Sequence, residues 1–414
     1  MAAKSKKKKK SPVKERIFQE RLLPQKIGIP ACKHFGGYKP CFPNTQCYKE
    51  CVDFDPIGKR ILVINLDAMG NVLVTTSILP SLKRKYPESH ISWITLRVSA
   101  PLLANNPYLD RVYVWEPESW LVLQQMKFDV VLNVDKSERS CAFMNSLRSS
   151  AKLGFGLNPR GQIVPLNKEA KENYILGLDD HLKFRVNTKS VPQLLCEEFG
   201  LEYSRDDYIL AFTKEEEAFE RGFRSQHGLE NRSLIVGFNT GCSELYPNKK
   251  MTIDQHVALI ERLAETPRIQ LLLLGGPEDT QRNAEIARRV GDKALSTPTR
   301  DGLRKGLVYI DVCDVVISGD SFGMHAAIGL RKHVIVWFGV SCSSEIDLFD
   351  RGIKLVPHDL SCSPCWKRRC PYELECIQMI DLDAIVSEVL RVRDGGEWGG
   401  LPHGSLIETG PKSF

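Results

Sequence analysis

Asp320, Ser321 and His325 fall within "SGDSFGMH" (318–325), between the apolar run "DVVISG" and a stretch with helical spacing. Exposed backbone N–H groups and the helix dipole at such a strand-to-helix step favour a phosphate. His325, one turn into the helix, can point at the same anion, beside Gly323 and Met324. Asp320 or Ser321 is also expected to cap that helix, a role that leaves His325 unexplained. The same residues carry a second reading. Gly319-x-Ser321-x-Gly323 has the spacing of a hydrolase nucleophile elbow, with Asp347 or Asp350 as acid and His358 as base, in the right chain order. No glycine-rich oxyanion loop follows an early strand, however, and this reading leaves the first half of the chain unused.

"GFNTGCSELYPNKKMTIDQH" (237–256) ends a strand in Thr240 and Gly241, small residues that let backbone approach a ligand, and then supplies Lys249 and Lys250. That order suits a diphosphate, although a lysine pair is commonly a solvated surface. "LLLLGGPEDTQRN" (271–283) places Glu278 and Asp279 at another strand end, where a carboxylate can accept from ribose hydroxyls or simply start a helix. Two further carboxylates suit proton transfer. Asp67 lies in the loop of "ILVINLDAMGNVLVTT" (61–76), and Asp135 ends "DVVLNVD" (129–135). Asp135 is the firmer candidate, being held at a strand end; Asp67 also reads as a turn-forming residue. The Asp67 loop has one glycine, Gly70, where a dinucleotide fingerprint needs three.

Four thiols fall in fifteen residues as Cys362-x2-Cys365-x4-Cys370-x5-Cys376, and four more as Cys32-x8-Cys41-x5-Cys47-x3-Cys51. Thiolates in such sets suit a structural zinc or iron, with no open position for catalysis. Reduced structural cysteines or a disulfide pair are the competing readings. The second spacing matches no ferredoxin pattern.

These residues need elements to hold them. Strand patterns recur at 60–65, 90–96, 110–115 and 128–134, with helical spacing at 72–86, where Pro80 predicts a kink, and at 118–127. A second series at 233–239, 269–276, 314–320 and 333–339 alternates with helical stretches at 252–265, 279–290 and 321–330. Strands alternating with helices imply parallel sheets. We therefore expect two doubly wound α/β domains, at 58–205 and 206–380. A basic tail and cysteine-rich segment (1–57) would precede them, and a helix and tail (381–414) would follow. Thr213–Gly228 reads as a surface helix entering the second domain.

The 414 residues suffice for two cores. The net charge of +6 comes from six lysines within residues 4–10; with these set aside, 51 basic residues face 51 acidic ones. The folded body thus has no basic bias toward nucleic acid, and the tail reads as a solvated arm able at most to touch an anionic inner-membrane surface. No apolar run reaches the ~18 residues of a membrane span and no signal core follows the lysines, so a cytoplasmic protein is expected.

Taken in order, "DAMGNVLVTT", "NTG…YPNKKMT", "LLGGPED" and "GDSFGMHAAIGLRKHVIVWFG" resemble the ADP-heptose:lipopolysaccharide heptosyltransferases, glycosyltransferase family 9. The resemblance covers residues 60–392 and includes "CSPCWKRRCPYELEC". It implies a GT-B fold with a cleft between an N-terminal acceptor domain and a C-terminal nucleotide-sugar domain, and inverting transfer without a catalytic metal. ADP-heptose would be the donor, and a lipopolysaccharide core glycan or, second, a protein hydroxyl the acceptor. Lys249 or Lys250, the amides around Ser321, and His325 would hold the departing diphosphate, and Glu278 or Asp279 the ribose. Two departures stand out. The family's Met-Gly-Asp base is Asn71 here, and an amide cannot take a proton, so the base must be Asp67 or Asp135, or the chain is a non-catalytic nucleotide-sugar-binding protein. Phe322 also stands where the family has glycine, narrowing the donor pocket.

Overall fold

The structure, a computed structural model, describes residues 30–45, 47, 51–229, 233–396 and 406–409. The lysine tail lies outside them. The strands of the first sheet are β1 Arg60–Ile64, β2 His90–Thr95, β3 Arg111–Val114, β4 Lys127–Asn133, β5 Arg148–Leu157 and β6 Ile163–Pro165. They lie in the order β3-β2-β1-β4-β5-β6, all parallel except β6. The second sheet holds β7 Leu234–Asn239, β8 Ile269–Leu274, β9 Leu295–Ser296, β10 Val315–Gly319, β11 His333–Trp337, β12 Gly352–Pro357 and β13 Leu406–Thr409, in the order β13-β12-β11-β10-β7-β8-β9. Each sheet reverses strand order once, between β1 and β4 and between β7 and β10. Open parallel sheets bind ligands at that reversal, beyond the strands' carboxyl ends.

The central strands are continuous apolar runs because helices cover both faces; β10 and β11 are buried along their whole length. The strands absent from the sequence reading break this pattern. β12 carries Lys354, buried and donating to the carbonyls of Ser343 (2.8 Å) and Ile346, so a charged residue interrupts an otherwise apolar core strand. The kink expected at Pro80 is instead a break before it. One helix spans Met69–Thr75 and the next Ile78–Lys85, and Thr76 and Ser77 between them turn their hydroxyls back onto the carbonyls of Leu73 and Val74. Pro80 sits in the first turn of the second helix, where its missing N–H costs nothing.

One apolar cluster runs through both halves of the chain, joining Val72 and Leu73 to Met324, Ala327 and Ile328. Tyr208, on the irregular segment after residue 200, packs edge-on against Phe349. That segment is anchored by Arg205, which forks onto Asp347 (2.8 Å) and Asp350 (2.6 Å). The helix Lys214–Gln226 then begins with a capping box between Thr213 and Glu216.

Candidate active site

Asn239, the last residue of β7, organises the crevice where the second sheet reverses its strand order. Its amide nitrogen donates toward the hydroxyls of Ser318 and Ser321, both 2.9 Å away, and toward the Gly241 carbonyl at 3.2 Å. A side chain at Gly323 would overlap this amide, so only glycine lets the helix Phe322–Gly329 start so close to β7. Ser321 occupies the N-cap position but makes no capping bond; its hydroxyl is taken up by Asn239 and Ser318. The expected cap is thus not formed, and the helix start keeps its backbone N–H groups for another acceptor.

Asp320 faces Lys249 at 2.6 Å, both side chains being mostly buried. Burial disfavours the Asp320 carboxylate, but Lys249 and His325 outweigh it and hold the group below the usual carboxylate range. The Lys249 main chain is fixed from two sides. Its carbonyl accepts from the Trp337 indole at 2.9 Å, and a Cβ on Gly319 would lie 2.7 Å from the same oxygen. His325 is enclosed, with Nε2 3.9 Å from Asp320; burial lowers its pKa to about 4, against the pull of Asp320, so the ring is neutral at pH 7. Its Nδ1 has no hydrogen-bond partner, and such an orphaned buried group invites a ligand. Met324 next to it is fully buried in the shared apolar cluster. Its side chain belongs to the core.

Thr240 is also turned inward, donating its hydroxyl to Asn283, so only its backbone faces the strand-end crevice. Gly241 lies against Asp279 with no space for a side chain. Asp279 is buried, accepts from the Gly276 amide at 3.0 Å and leaves Oδ1 unpaired, its pKa raised by burial against that amide bond. Glu278 points to solvent. Lys250 pairs with exposed Glu244 at 2.8 Å, away from Asp320. Arg282, which the sequence reading missed because a helical arginine looks like surface, binds the Thr240 carbonyl (3.0 Å) and that of Met251, locking the loop from below.

Across the seam, the loop after β1 meets the same site. A Cβ on Gly70 would lie 2.7 Å from Cδ2 of His325. Asp135 holds that loop, accepting from the Leu66 amide and the Asn65 side chain, each at 2.6 Å. It is 8% exposed, and burial raises its pKa to about 7 despite these two donors. Asp67 is different, with its side chain 45% exposed and paired with Arg139 at 2.5 Å. Asn71 is exposed in the first turn of the following helix.

The hydrolase arrangement is not assembled. Ser321 bonds Asn239 and Ser318, Asp347 and Asp350 are bound by Arg205, and half-exposed His358 pairs with Asp359 at 2.9 Å.

The four thiols Cys362, Cys365, Cys370 and Cys376 line one cavity of about 20 Å³, walled on its inner side by Gly339 and Val340. In the other set, Cys32 accepts from the Asp55 amide (3.4 Å), and Asn44 lies between Cys41 and Cys51. Cys32, Cys41, Cys51, Cys362, Cys365, Cys370 and Cys376 carry free thiols. Among the described residues no three His, Cys, Asp or Glu side chains are gathered to hold a metal ion as they stand.

Two Rossmann-like sheets whose strand-order reversals meet at a shared seam, with a lysine–aspartate pair on one side and a carboxylate loop on the other, define a GT-B glycosyltransferase. The profile of glycosyltransferase family 9 (heptosyltransferase) matches residues 120–375, and the chain belongs to this family. It is 22% identical over 376 residues to lipooligosaccharide heptosyltransferase 2 of Haemophilus influenzae, covering 85% of this chain and 96% of that one. Among solved structures, the family 9 glycosyltransferase of Veillonella parvula superposes with a TM-score of 0.61 at 17% identity, over 82% of this chain and 98% of its own. The E. coli ADP-heptose LPS heptosyltransferase II gives a TM-score of 0.58 at 16% identity, over 81% and 98%.

Proposed function

We propose that this glycosyltransferase transfers heptose from ADP-heptose to a lipopolysaccharide core sugar, with inversion, and that Asp67 is the general base. The observation that carries the reading is the seam itself, where the Asp67 loop abuts His325 and, behind it, the Asp320–Lys249 pair. The substrates follow from the names of the relatives, a lipooligosaccharide heptosyltransferase and an ADP-heptose LPS heptosyltransferase.

Asp135 spends both oxygens at 2.6 Å on the Asn65–Leu66 turn and is out of solvent. Asp67 has an accessible carboxylate in the loop that Asp135 shapes. In the transfer, Asp67 takes the proton of the acceptor hydroxyl as its oxygen bonds to the anomeric carbon. The bond from that carbon to the diphosphate breaks on the opposite face, and charge builds on the leaving oxygen. Lys249 and the free amides at the start of the helix Phe322–Gly329 stabilise that charge without reorganising. Neutral His325 offers a hydrogen bond without repelling Lys249, and unpaired Asp279 Oδ1 suits a ribose hydroxyl. Asn71 favours a second reading, a nucleotide-sugar-binding protein without turnover. ADP-heptose consumption that depends on Asp67 decides between them.

The cavity shared by Cys362, Cys365, Cys370 and Cys376 supports the reading of one structural zinc or iron there. Such an ion would tie the loop 362–376 together and take no part in transfer. A cytoplasmic setting is supported by the cysteine content, since thirteen cysteines suit a compartment that keeps thiols reduced. Among the described residues no helix is long and apolar enough to cross a membrane.

A further inference from the structure

Trp366 is carried by the four-thiol loop and has a left-handed backbone, with φ of 49°. A bulky residue rarely adopts this conformation unless its surroundings enforce it. They do so here: the Val340 carbonyl accepts from both the Cys365 and Trp366 amides, at 3.1 and 2.9 Å, and Asn248 donates to the Lys367 carbonyl at 2.8 Å. The result aims the indole at two ammonium groups. Lys249 Nζ lies 4.9 Å from the ring centroid and Lys183 Nζ 5.0 Å, so the two charges are less than 10 Å apart. Tyr246 stands edge-on to the same indole at 5.7 Å and also lies under Lys249.

Lys249 comes from the turn after β7, whereas Lys183 comes from the turn Leu182–Val186 in the first half of the chain. Arg185 from that turn reaches the Ser361 carbonyl at 3.1 Å, so the segment is docked on the four-thiol loop. Each lysine has a carboxylate partner, Asp320 for Lys249 and Glu345 (3.4 Å) for Lys183. Two cations drawn toward one aromatic ring, each balanced by a carboxylate that an incoming anion can displace, form a receptor for a polyanion of diphosphate size.

We propose that Trp366 is the positioning residue of a two-lysine cradle for the donor's diphosphate, with Lys183 as its second cation. The inference rests on the nucleotide-sugar reading above. It makes donor affinity depend on the four-thiol loop, because that loop sets the indole, and on the turn Leu182–Val186, because that turn delivers Lys183.

The test is ADP binding by calorimetry at two salt concentrations, with donor KM and kcat measured alongside. Trp366→Leu should weaken ADP binding about tenfold and raise donor KM more than it lowers kcat, whereas Trp366→Phe, which keeps a π face, should stay within about threefold. Lys183→Gln, which leaves the loop intact, should weaken binding about fivefold and flatten its salt dependence. Equal losses in the Phe and Leu variants would mean packing alone and overturn the role of Trp366. Wild-type affinity in Lys183→Gln would overturn the cradle while leaving the nucleotide-sugar reading standing. A folded wild-type protein that binds no ADP overturns both.

Discussion

Gly70 and His325 touch across the seam between the two sheets: no methyl fits between the loop after β1 and the first turn of the helix after β10. Tyr208 backs the imidazole, its ring centroid 6.2 Å away. The loop after β1 and the helix Phe322–Gly329 are therefore registered by direct contact.

Gly70→Ala should force His325 aside or part the seam. A methyl forced into a packed contact costs about 1–3 kcal/mol, and we expect kcat/KM to fall at least about tenfold with the fold retained. In a His325→Ala background the same change should cost less than about twofold, because contacting residues couple. Steady-state kinetics of the four-protein cycle measures this directly.

The two aspartates should separate by kinetics. Asp67→Asn should lower kcat about 10²–10⁴-fold, the usual contribution of a general base, with ADP affinity unchanged. Asp135→Asn should cost less than about tenfold: the asparagine keeps an acceptor for the Leu66 amide, and Asn65 Oδ1, which has no partner now, can turn to meet its NH₂. The reverse order of losses would return the proton transfer to Asp135.

Stability should report the same residue. Burial raises Asp135 to about 7 in the folded chain, while the unfolded carboxyl titrates near about 4. Between these values the folded state holds the extra proton, so this group's contribution is fully present below about pH 4 and is lost as pH rises through 7. Thermal midpoints of wild type relative to Asp135→Asn should therefore decline from pH 4 to 7 and level off above.

Metal analysis of the purified protein should find one zinc or iron per chain. Cys370→Ser with Cys376→Ser should remove it and lower the melting temperature by about 5 °C or more, whereas Cys41→Ser with Cys51→Ser should leave the stoichiometry unchanged. Metal-free wild type with the same melting temperature would refute the site.

The apolar runs of β1, β4, β7, β10 and β11 determine two parallel sheets, because a strand buried on both faces needs side chains that tolerate neither solvent nor charge. The strand ends then follow, and with them the location of Asp67, Asp135, Thr240, Asp279 and Asp320. Sequence order could not say which side of each backbone these residues use. Thr240 and Met324 turn into the core, Ser321 is claimed by Asn239 instead of its own helix, and Lys250 leaves Lys249 alone with Asp320. β12 escaped notice because Lys354 is satisfied by carbonyls from a loop several residues upstream. Those choices depend on partners far apart in the chain, and so do the roles of the two aspartates. Asp135 is buried against Asn65 and Leu66, and Asp67 stands exposed beside Arg139.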